Sequence, residues 1–594
     1  AQLVDGLLND ANGNQWALVV SGPIDARALG LTGVGVETAV LKAIAAGVQD
    51  NQEVVFPIDF AIDERIDFTT SCTVDFRDID IDASGLPNST VDRDLNIAFR
   101  FSGSINSAEA ITADLSVGDD SFLTASPTMV AGDTVIIQSD QLFVDGWSGS
   151  SNNKRGEIVT VKSVSGTTVN FNEALYFSYL SASNLTATKV NTITPQVKGG
   201  RITMGGVGSN HRGISTVYCR NASIFNSEVI GAEDYCFTSR FNHSCKYDVV
   251  ARDATTPSGF NTGYGLSVVD GARNIDVKIT GFNCKHVVTG GGSLPAQDVG
   301  ISGIAYDSGL TATSWDCHEP CFNWTWDVES IGGNAGIGLR GSDQYVKIKT
   351  RDQASNAVRI QTFNTMPLQY NIHVVADVKR CGSSAVTFGT DFSAIDNVSI
   401  KLNAEDVTLD GVGAAASATF GISNLHLDLN IDGATVTAFT AIYVDGLTVN
   451  LPSIKNLGDR AGRVENCGNV KITCGNVVSA LAQGLRFEDC NDVWVTGQKL
   501  VSLASAGVSS ATCTNINVSI GYLEATGANQ DGWRAVDTIG GKLIGTTITS
   551  GRHGAFTSGT SDRFIFSLND ATGVTNGDKF NVSGANNIEL NNLV

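Results

Sequence analysis

The sequence contains no run of about 18 consecutive apolar residues, so it offers no candidate for a membrane-spanning helix. Its first 16 residues, AQLVDGLLNDANGNQW, also lack the basic and then apolar pattern of a secretory signal peptide. No membrane partner is therefore predicted. Because residue 1 is Ala rather than Met, we expect a fragment or a processed form.

Basic residues are few relative to acidic ones. The chain has 39 Lys and Arg against 61 Asp and Glu, which gives a formal charge of −22. A surface of this charge repels a phosphate backbone, so nucleic acid is not expected as a partner. The simplest consequence of the acidity is solubility.

Paired cysteine motifs are also missing. The 12 cysteines include no CxxC pair, and most of them stand alone beside apolar residues. This pattern indicates reduced, buried thiols rather than the disulfide framework of a small secreted domain. We therefore expect the chain to fold in a reducing compartment.

Helical periodicity is almost absent, apart from residues 34–48, VGVETAVLKAIAAGV, which form one amphipathic pattern. At 594 residues the chain is too long for a single ordinary core. It must contain several domains or one elongated repeat fold. The missing helices exclude helical repeats, and the missing leucine consensus excludes a leucine-rich solenoid.

A repeat is present in the second half of the chain. The segments AGRVENCGNVKIT, GLRFEDCNDVWVT and GVSSATCTNINVS align with their starts 23 residues apart. Each contains a cysteine in register and then two apolar residues in alternation, which predicts a strand with one buried face. The aligned cysteines are Cys467, Cys490 and Cys513.

The same alternation continues in both directions at spacings of 22 to 27 residues, and an Asn often precedes it, as at Asn371, Asn397 and Asn424. A strand of this length cannot fill a coil of about 23 residues, so each coil needs several strands joined by Gly, Asn or Asp corners. Stacked coils share one core, which predicts a parallel β-helix. His373 and His426 alternate with buried positions and should point outward.

Two further regions differ from the coils. The helix pattern at 34–48 fits a cap over one end of a solenoid. Residues 106–195 contain short alternating segments with tight turns, such as VAGDTVIIQSD and GEIVTVKSVSGTTVNF, and predict a small antiparallel β unit.

The stretch IDARALGLTGVGVETAVLKAIAAGVQDNQEVVFP resembles the opening of phage tailspikes and other pectate-lyase-like β-helix proteins. It departs from that family at GVGVET, where an acidic run usually stands. The unit at 106–195 is similar to an insertion often seen in tailspikes. The resemblance implies an all-β, right-handed parallel β-helix that assembles as a homotrimer and attaches to the phage tail through its N-terminus. It implies a bacterial surface polysaccharide as partner, and a place in the virion tail after folding in the host cytoplasm.

On this reading the chain divides into six parts. We predict an N-terminal neck at 1–25, a capping helix with the first strand at 26–60, first β-helix coils at 61–105, the small β insertion at 106–195, the main β-helix at 196–570 and a C-terminal end at 571–594.

The motif WDCHEPCFNW, at 315–324, is the densest group of chemically active side chains. A zinc site needs four ligands, and no second cysteine or histidine pair follows at a suitable distance. Cys321 stands two residues before Asn323, as Cys467 does before Asn469, so it belongs to the buried ladder. No metal and no cofactor is predicted here.

The motif retains two carboxylates, Asp316 and Glu319, on a loop longer than one coil requires. A carboxylate pair is the minimum for glycosidic cleavage. Nearby tryptophans supply apolar surfaces on which sugar rings stack, although core packing is the alternative for Trp324. The predicted stacking residues are Trp315 and Trp324.

The order Tyr, basic-His, Asp-x-His-Glu and Arg-Gly resembles the catalytic face of some tailspike depolymerases. Pro320 departs from that pattern, because a Gly is expected after the Glu. On this resemblance the catalytic residues are Asp316, Glu319, His318 and His286, and the substrate-binding residues include Tyr264, Lys285 and Arg340. Asp234, Asp270, Asp298 and Asp327 remain as reserve carboxylates.

Three functions stay open at this point. The first is glycoside hydrolysis, with Glu319 as the acid and Asp316 as the base or nucleophile. The second is a lyase that uses His286, Lys285 or Tyr264 as the base and Arg340 or Ca²⁺ to neutralise a uronate. The third is an adhesin that binds glycan without cutting it.

Overall fold

The structure is a computed structural model. It describes residues 2–4, 7–9, 15–17, 22–89, 93–142, 154–206, 208–254, 263–309, 312–317, 321–362, 369–390, 393–434, 436–479, 482–567, 569–575, 579–584, 586–590 and 592. No helix within these ranges has the length and apolar character needed to cross a membrane.

The chain divides into two compact units, Ala1–Glu329 and Ser330–Val594. Each consists largely of two parallel sheets whose strands alternate along the chain, so that every coil contributes to both sheets. We call these the long-strand sheet and the short-strand sheet of each unit. The predicted parallel β-helix is confirmed in both units, and the first unit also contains the α-helix and the antiparallel insertion.

In the first unit, the long-strand sheet contains Ile24–Asp25, Glu53–Val55, Phe60–Ala61, Thr73–Asp82, Gln196–Thr203, Ser223–Ile230, Lys246–Arg252, Arg273–Phe282, Ala296–Tyr306 and Cys321–Ile331. Its short-strand sheet contains Ile66–Phe68, Ile97–Ser102, Arg212–Val217, Tyr235–Arg240, Tyr264–Val269, His286–Gly291 and Thr313–Asp316. Three short antiparallel strands precede them: Gln2–Val4, Leu7–Asn9 and Gln15–Ala17.

In the second unit, the long-strand sheet contains Ser342–Gln353, Gln369–Cys381, Ile395–Val407, Ile422–Ala434, Val444–Asp445, Thr448–Leu457, Gly468–Ser479, Asn491–Ser502, Thr514–Ala525, Ile539–Ile544, Thr547–Ser550, Asp562–Ser567, Asp570–Val574 and Ile588–Leu590. Its short-strand sheet contains Ala335–Leu339, Val358–Gln361, Val386–Gly389, Val412–Ala415, Thr437–Ile442, Arg460–Glu465, Leu485–Glu488, Val508–Ala511, Trp533–Val536, Ala555–Ser558 and Phe580–Asn581.

The predicted 23-residue register is confirmed. Val470 pairs with Val493, and Val493 pairs with Ile516 on the next coil. The cysteines stack in the same order, since the Cys490 amide donates a hydrogen bond of 3.4 Å to the Cys513 Sγ. All 12 cysteines are buried and free. The core is therefore built from columns of equivalent side chains, as a β-helix requires.

Asparagines form the corners that lead into the long strands. Asn371, Asn397, Asn424, Asn469 and Asn515 all have positive φ angles, between 51° and 55°. Asn tolerates this left-handed conformation better than other side chains with a Cβ. The amide of Asn397 also donates to the Asn371 Oδ1 at 2.6 Å, so the corners bond to one another from coil to coil.

The α-helix spans Thr38–Gly47 and packs its buried side chains, Leu41, Ile44 and Ala45, toward the strand Ile66–Phe68. It begins four residues later than the pattern at 34–48 predicts. The reason is local, because Gly33 and Gly35 both have φ of 74°, which is incompatible with a right-handed helix. Three short 3₁₀ helices complete the helical content of the described ranges: Ala26–Leu29, Arg93–Asn96 and Ser181–Ser183.

The antiparallel insertion contains six strands with a core of its own. Its strands are Ser104–Ala110, Ser121–Leu123, Thr134–Leu142, Lys154–Ser165, Thr168–Phe171 and Thr186–Asn191. A second cluster joins Ile136, Ile158 and Val190 of the insertion to Leu294 of the β-helix. The insertion is thus attached to the coils through apolar packing as well as through the ion pairs described below.

One of these ion pairs predicts a pH effect on stability. Glu173 of the insertion accepts from His243 Nε2 at 3.1 Å. Burial works to raise the Glu173 pKa, but hydrogen bonds from His243 and Thr160 outweigh it and lower the pKa from 4.5 to about 2. A carboxylate whose pKa is lower in the folded chain than in the unfolded chain stabilises the fold at pH values above its unfolded pKa. This contribution is lost as the pH falls through its folded pKa.

We therefore expect wild type to exceed Glu173→Gln in stability by about 2 kcal/mol at neutral pH, a value reduced for partial exposure of the side chain. The difference should shrink between about pH 4.5 and about pH 2. Paired chemical denaturation curves across this range measure it. His243→Asn should narrow the pH range over which this difference in stability shrinks. A Glu173→Gln variant whose stability depends on pH as that of wild type does would contradict the assignment.

Candidate functional site

Asp316 closes the strand Thr313–Asp316 in the short-strand sheet of the first unit. Its carboxylate is buried, with 2% of the residue exposed, and its Oδ1 accepts from the Thr313 hydroxyl at 3.2 Å. An ionised carboxylate is costly to bury unless its environment supplies donors or charge. The groups that surround Asp316 therefore decide what it can do.

His286 is held in one tautomer. It opens the strand His286–Gly291, it is buried, and its Nδ1 lies 2.6 Å from the Thr313 carbonyl oxygen. A carbonyl oxygen only accepts, so the Nδ1 carries the proton in this bond. In the neutral ring, the Nε2 then retains a lone pair and is the nitrogen able to accept a proton.

Tyr264 and Lys285 lie beside this histidine. Tyr264 pairs with His286 across neighbouring parallel strands, and their ring centroids are 5.4 Å apart. The Lys285 Nζ lies 5.6 Å from the centroid of the Tyr264 ring, within the range of a cation–π contact. Both side chains are half-buried, so they remain accessible to a ligand.

The charge of Asp316 acts on both of these residues. Burial raises the pKa of Tyr264 to about 12, and the negative charges of Asp316 and Asp234 add to that increase. Burial lowers the pKa of Lys285, while Asp316 works in the opposite direction. Tyr264 thus stays protonated at neutral pH and can donate a hydrogen bond, and Lys285 is a partly desolvated cation near an anion.

A buried ion pair supports the site from the preceding coils. Asp234 is buried and accepts from the Arg212 Nε at 2.7 Å. The Asp234 carbonyl oxygen accepts from the amides of Gly263 and Tyr264, at 3.0 and 2.9 Å. Asp234 therefore fixes the entry of the strand that carries Tyr264, and its own charge is paired.

The other reserve carboxylates have different surroundings. Asp270 accepts from the Arg240 Nε at 2.8 Å, and Asp298 accepts from the Arg273 Nε at 2.8 Å. Asp327 is exposed on the strand Cys321–Ile331 of the long-strand sheet. Asp270 and Asp298 thus each hold an arginine, which is the common structural role of a paired carboxylate.

The tryptophans require a correction. Trp315 and Trp324 are both 0% exposed. The Trp315 Nε1 donates to the Glu329 carbonyl oxygen at 3.3 Å, and the Trp324 Nε1 donates to the Ala296 carbonyl oxygen at 3.1 Å. Both indoles fill the core and satisfy their polar atoms there, so neither offers a face on which a sugar can stack.

Three further residues were predicted for the site. His318 and Glu319 lie outside the described residues. Arg340 belongs to the second unit, where its Nη2 lies 3.3 Å from the Gln361 Oε1 and its carbonyl oxygen accepts from Gln344 at 2.6 Å. Their predicted roles stay predictions.

Thr313 is the residue that sequence reasoning missed. Its carbonyl orients His286 and its hydroxyl contacts Asp316, so it connects two of the predicted catalytic residues. The register offers a signal for it. Val288 pairs with Trp315, and stepping back two residues on each strand places Thr313 opposite His286.

Together these residues form an acid–base group. Asp316 supplies a carboxylate, His286 a proton acceptor at Nε2, Tyr264 a hydrogen-bond donor and Lys285 a cation. Within the part of the chain that the structure describes, no three His, Cys, Asp or Glu side chains are grouped so as to hold a metal ion. The side chains of this group can exchange protons with a polar substrate.

No protein-family model and no curated protein matches the chain. Similar solved structures include the Gp54 tailspike of Acinetobacter baumannii bacteriophage AP22 in complex with A. baumannii capsular saccharide, at 16% identity and a TM-score of 0.47, covering 93% of this chain and 79% of that chain. The tailspike gp61 of Pseudomonas phage phi297 is 13% identical, with a TM-score of 0.43 and coverage of 94% and 81%. The tailspike gp49 of Pseudomonas phage LKA1 is 16% identical, with a TM-score of 0.46 and coverage of 78% and 81%. These likenesses concern architecture and assign neither a site nor a substrate.

Proposed function

We propose that the chain is a phage tailspike that binds bacterial capsular or surface polysaccharide and cuts it by glycosidic hydrolysis. One observation carries the proposal: the buried Asp316 carboxylate lies at a strand end together with His286, Tyr264 and Lys285. A polysaccharide presents hydroxyl groups to such donors and a glycosidic bond to the carboxylate. The sequence resemblance to tailspikes supports the same substrate class.

Asp316 acts as the base or nucleophile in this scheme, and Glu319, three residues later, protonates the leaving oxygen. Tyr264 and Lys285 donate hydrogen bonds to the sugar on the open side of the sheet. His318 orients one of the carboxylates. Arg340 remains a proposed substrate contact of the second unit.

The native assembly follows from the same resemblance. We propose a homotrimer whose N-terminal segment joins it to the phage tail, so that the mature protein is part of the virion. The host cytoplasm, where the chain would fold, keeps thiols reduced, and all 12 cysteines are free.

A second candidate function has an observation of its own. The His286 tautomer leaves the Nε2 as a proton acceptor, and burial lowers the Lys285 pKa. A base and a desolvated cation are what β-elimination beside a uronate requires. A polysaccharide lyase is therefore the alternative to hydrolysis.

Product analysis separates these functions. The full chain is incubated with each member of a panel of purified bacterial capsular polysaccharides, and the products are examined by mass spectrometry, reducing-end assay and ultraviolet absorbance. Hydrolysis should add one water per cut and create reducing ends without new absorbance. Unsaturated products that absorb ultraviolet light would show that the reaction is elimination rather than hydrolysis. If polymers are bound but never shortened, the protein is an adhesin and both enzymatic schemes are wrong.

A further inference from the structure

Three successive coils of the second unit turn the same corner with different residues. Tyr443, Asn466 and Asp489 each follow a short strand, and their φ angles are 55°, 53° and 52°. They are equivalent positions, since the Tyr443 amide donates to the Glu465 carbonyl oxygen at 3.1 Å and the Asn466 amide donates to the Glu488 carbonyl oxygen at 3.0 Å. The corner therefore holds a left-handed residue on each of these coils.

Tyr443 is poorly suited to this requirement. Asn and Asp adopt the left-handed conformation readily, whereas a bulky side chain is strained there. The next coil uses Thr512 and the one after it Asp537 at the same corner. An aromatic residue in a position that suits Asn, with 36% of its surface exposed, indicates a role beyond folding.

Tyr443 lines a groove of about 600 Å³. Its other exposed lining residues are Asp445, Asn466, Asp489 and Asn491. Two of them are oriented by neighbouring coils. The Asn469 amide donates to the Asp445 Oδ1 at 2.9 Å, and the Thr514 hydroxyl donates to the Asn491 Oδ1 at 2.5 Å.

The chemistry of the groove selects a ligand class. An aromatic ring stacks on the apolar face of a sugar, and carboxylate and amide groups bond to its hydroxyls. Among the described residues that line the groove, none is a lysine or arginine. The nearby Arg463 is bonded to Glu465, with its Nε 2.6 Å from the Oε1. Two carboxylates without a lining cation favour a neutral sugar over a uronate.

We propose that this groove is a non-catalytic subsite that holds a neutral sugar of the polysaccharide, with the ring stacked on Tyr443. The inference rests on the proposed function and names a second contact for the same polymer. Because the ligand is neutral, affinity at the groove should change little between about 50 mM and about 500 mM NaCl, a range over which screening weakens contacts between charges.

The test uses the full chain with Asp316→Asn, so that the polymer survives the measurement. Binding of each capsular polysaccharide of the panel is measured by isothermal titration calorimetry. Tyr443→Asn is then added, because Asn is the residue that the next coil uses at this corner. The variant should keep or raise the melting temperature and weaken binding by about tenfold, which corresponds to ~1.4 kcal/mol.

Two matched variants complete the design. Tyr443→Phe keeps the ring and should bind as the parent does. Tyr345→Ala removes another exposed tyrosine of the second unit and should also bind normally. The subsite proposal would be wrong if Tyr345→Ala weakened polysaccharide binding equally, or if Tyr443→Asn left binding unchanged. Neither result would affect cleavage by wild type. If no polysaccharide binds the Asp316→Asn chain and none is cut by wild type, the subsite and the proposed function fail together.

Discussion

Replacement of Asp316 by Asn should lower the rate of polysaccharide cleavage by about 10³-fold, with little change in KM. The amide keeps an acceptor for the Thr313 hydroxyl, so the strand end should retain its structure. It can neither accept a proton nor attack an anomeric carbon. Initial rates of reducing-end formation on a cleaved capsular polysaccharide measure the effect.

The matched control is Asp276→Asn, an exposed carboxylate on the long-strand sheet of the same unit. It should leave the rate unchanged, and both variants should melt near wild type. Glu319→Gln should lose activity to a similar degree if that residue is the acid. An Asp316→Asn chain that retains most of its activity would remove Asp316 from the mechanism without affecting the fold.

Replacement of Arg273 by Met should weaken attachment of the insertion by about 3 kcal/mol. Arg273 is buried and lies 3.4 Å from the Glu157 Oε2 and 2.8 Å from the Asp298 Oδ2. It also donates to the carbonyl oxygens of Ile158 and Ala174, at 3.3 Å each. One side chain therefore joins the β-helix to the insertion.

The size of the effect follows from Glu157, which is 0% exposed. Burial raises its pKa, against hydrogen bonds from the Tyr176 and Phe177 amides and the charge of Arg273. Without the arginine, the carboxylate is either an unpaired buried charge or must take up a proton, and both destabilise the native state. Native-state hydrogen exchange of the strand Lys154–Ser165 reports the free energy of this local opening.

Two comparisons isolate the buried pair. Arg273→Met combined with Glu157→Gln should recover part of the loss, because the fully buried charge of Glu157 is then removed as well. Lys278→Met breaks an ion pair with Asp248 in which both side chains are exposed, at 70% and 39%, and should have little effect. Unchanged exchange in Arg273→Met would mean that this arginine is not needed to hold the insertion.

The coils could be predicted from sequence because their signals are local and repeated. Period-two alternation identifies a strand, and recurrence at 23 residues places Cys467 above Cys490 without any long-range information. The corners were equally readable, since Asn397 and Asn424 mark left-handed positions through their own side-chain chemistry. The helix start was misplaced by four residues because positive φ at Gly33 and Gly35 is a property of the folded loop.

The candidate site was only partly predictable. Tyr264, His286 and Asp316 were found by their order along the chain, but the contact between His286 and the Thr313 carbonyl depends on the register between two coils. The burial of Trp315 depends on which face of a four-residue strand points inward, and a strand that short carries little alternation of its own.

The sequence by itself determined the class of fold, because a short alternating strand cannot bury its apolar face until identical coils stack on it. Only the tertiary structure decided which side chains face the core and which face solvent at the corners, where alternation breaks down. That is why Trp315 became a core residue, Arg273 became the link to the insertion, and Tyr443 became an exposed residue in a groove. Each outcome depends on contacts between residues on different strands, which no local pattern specifies.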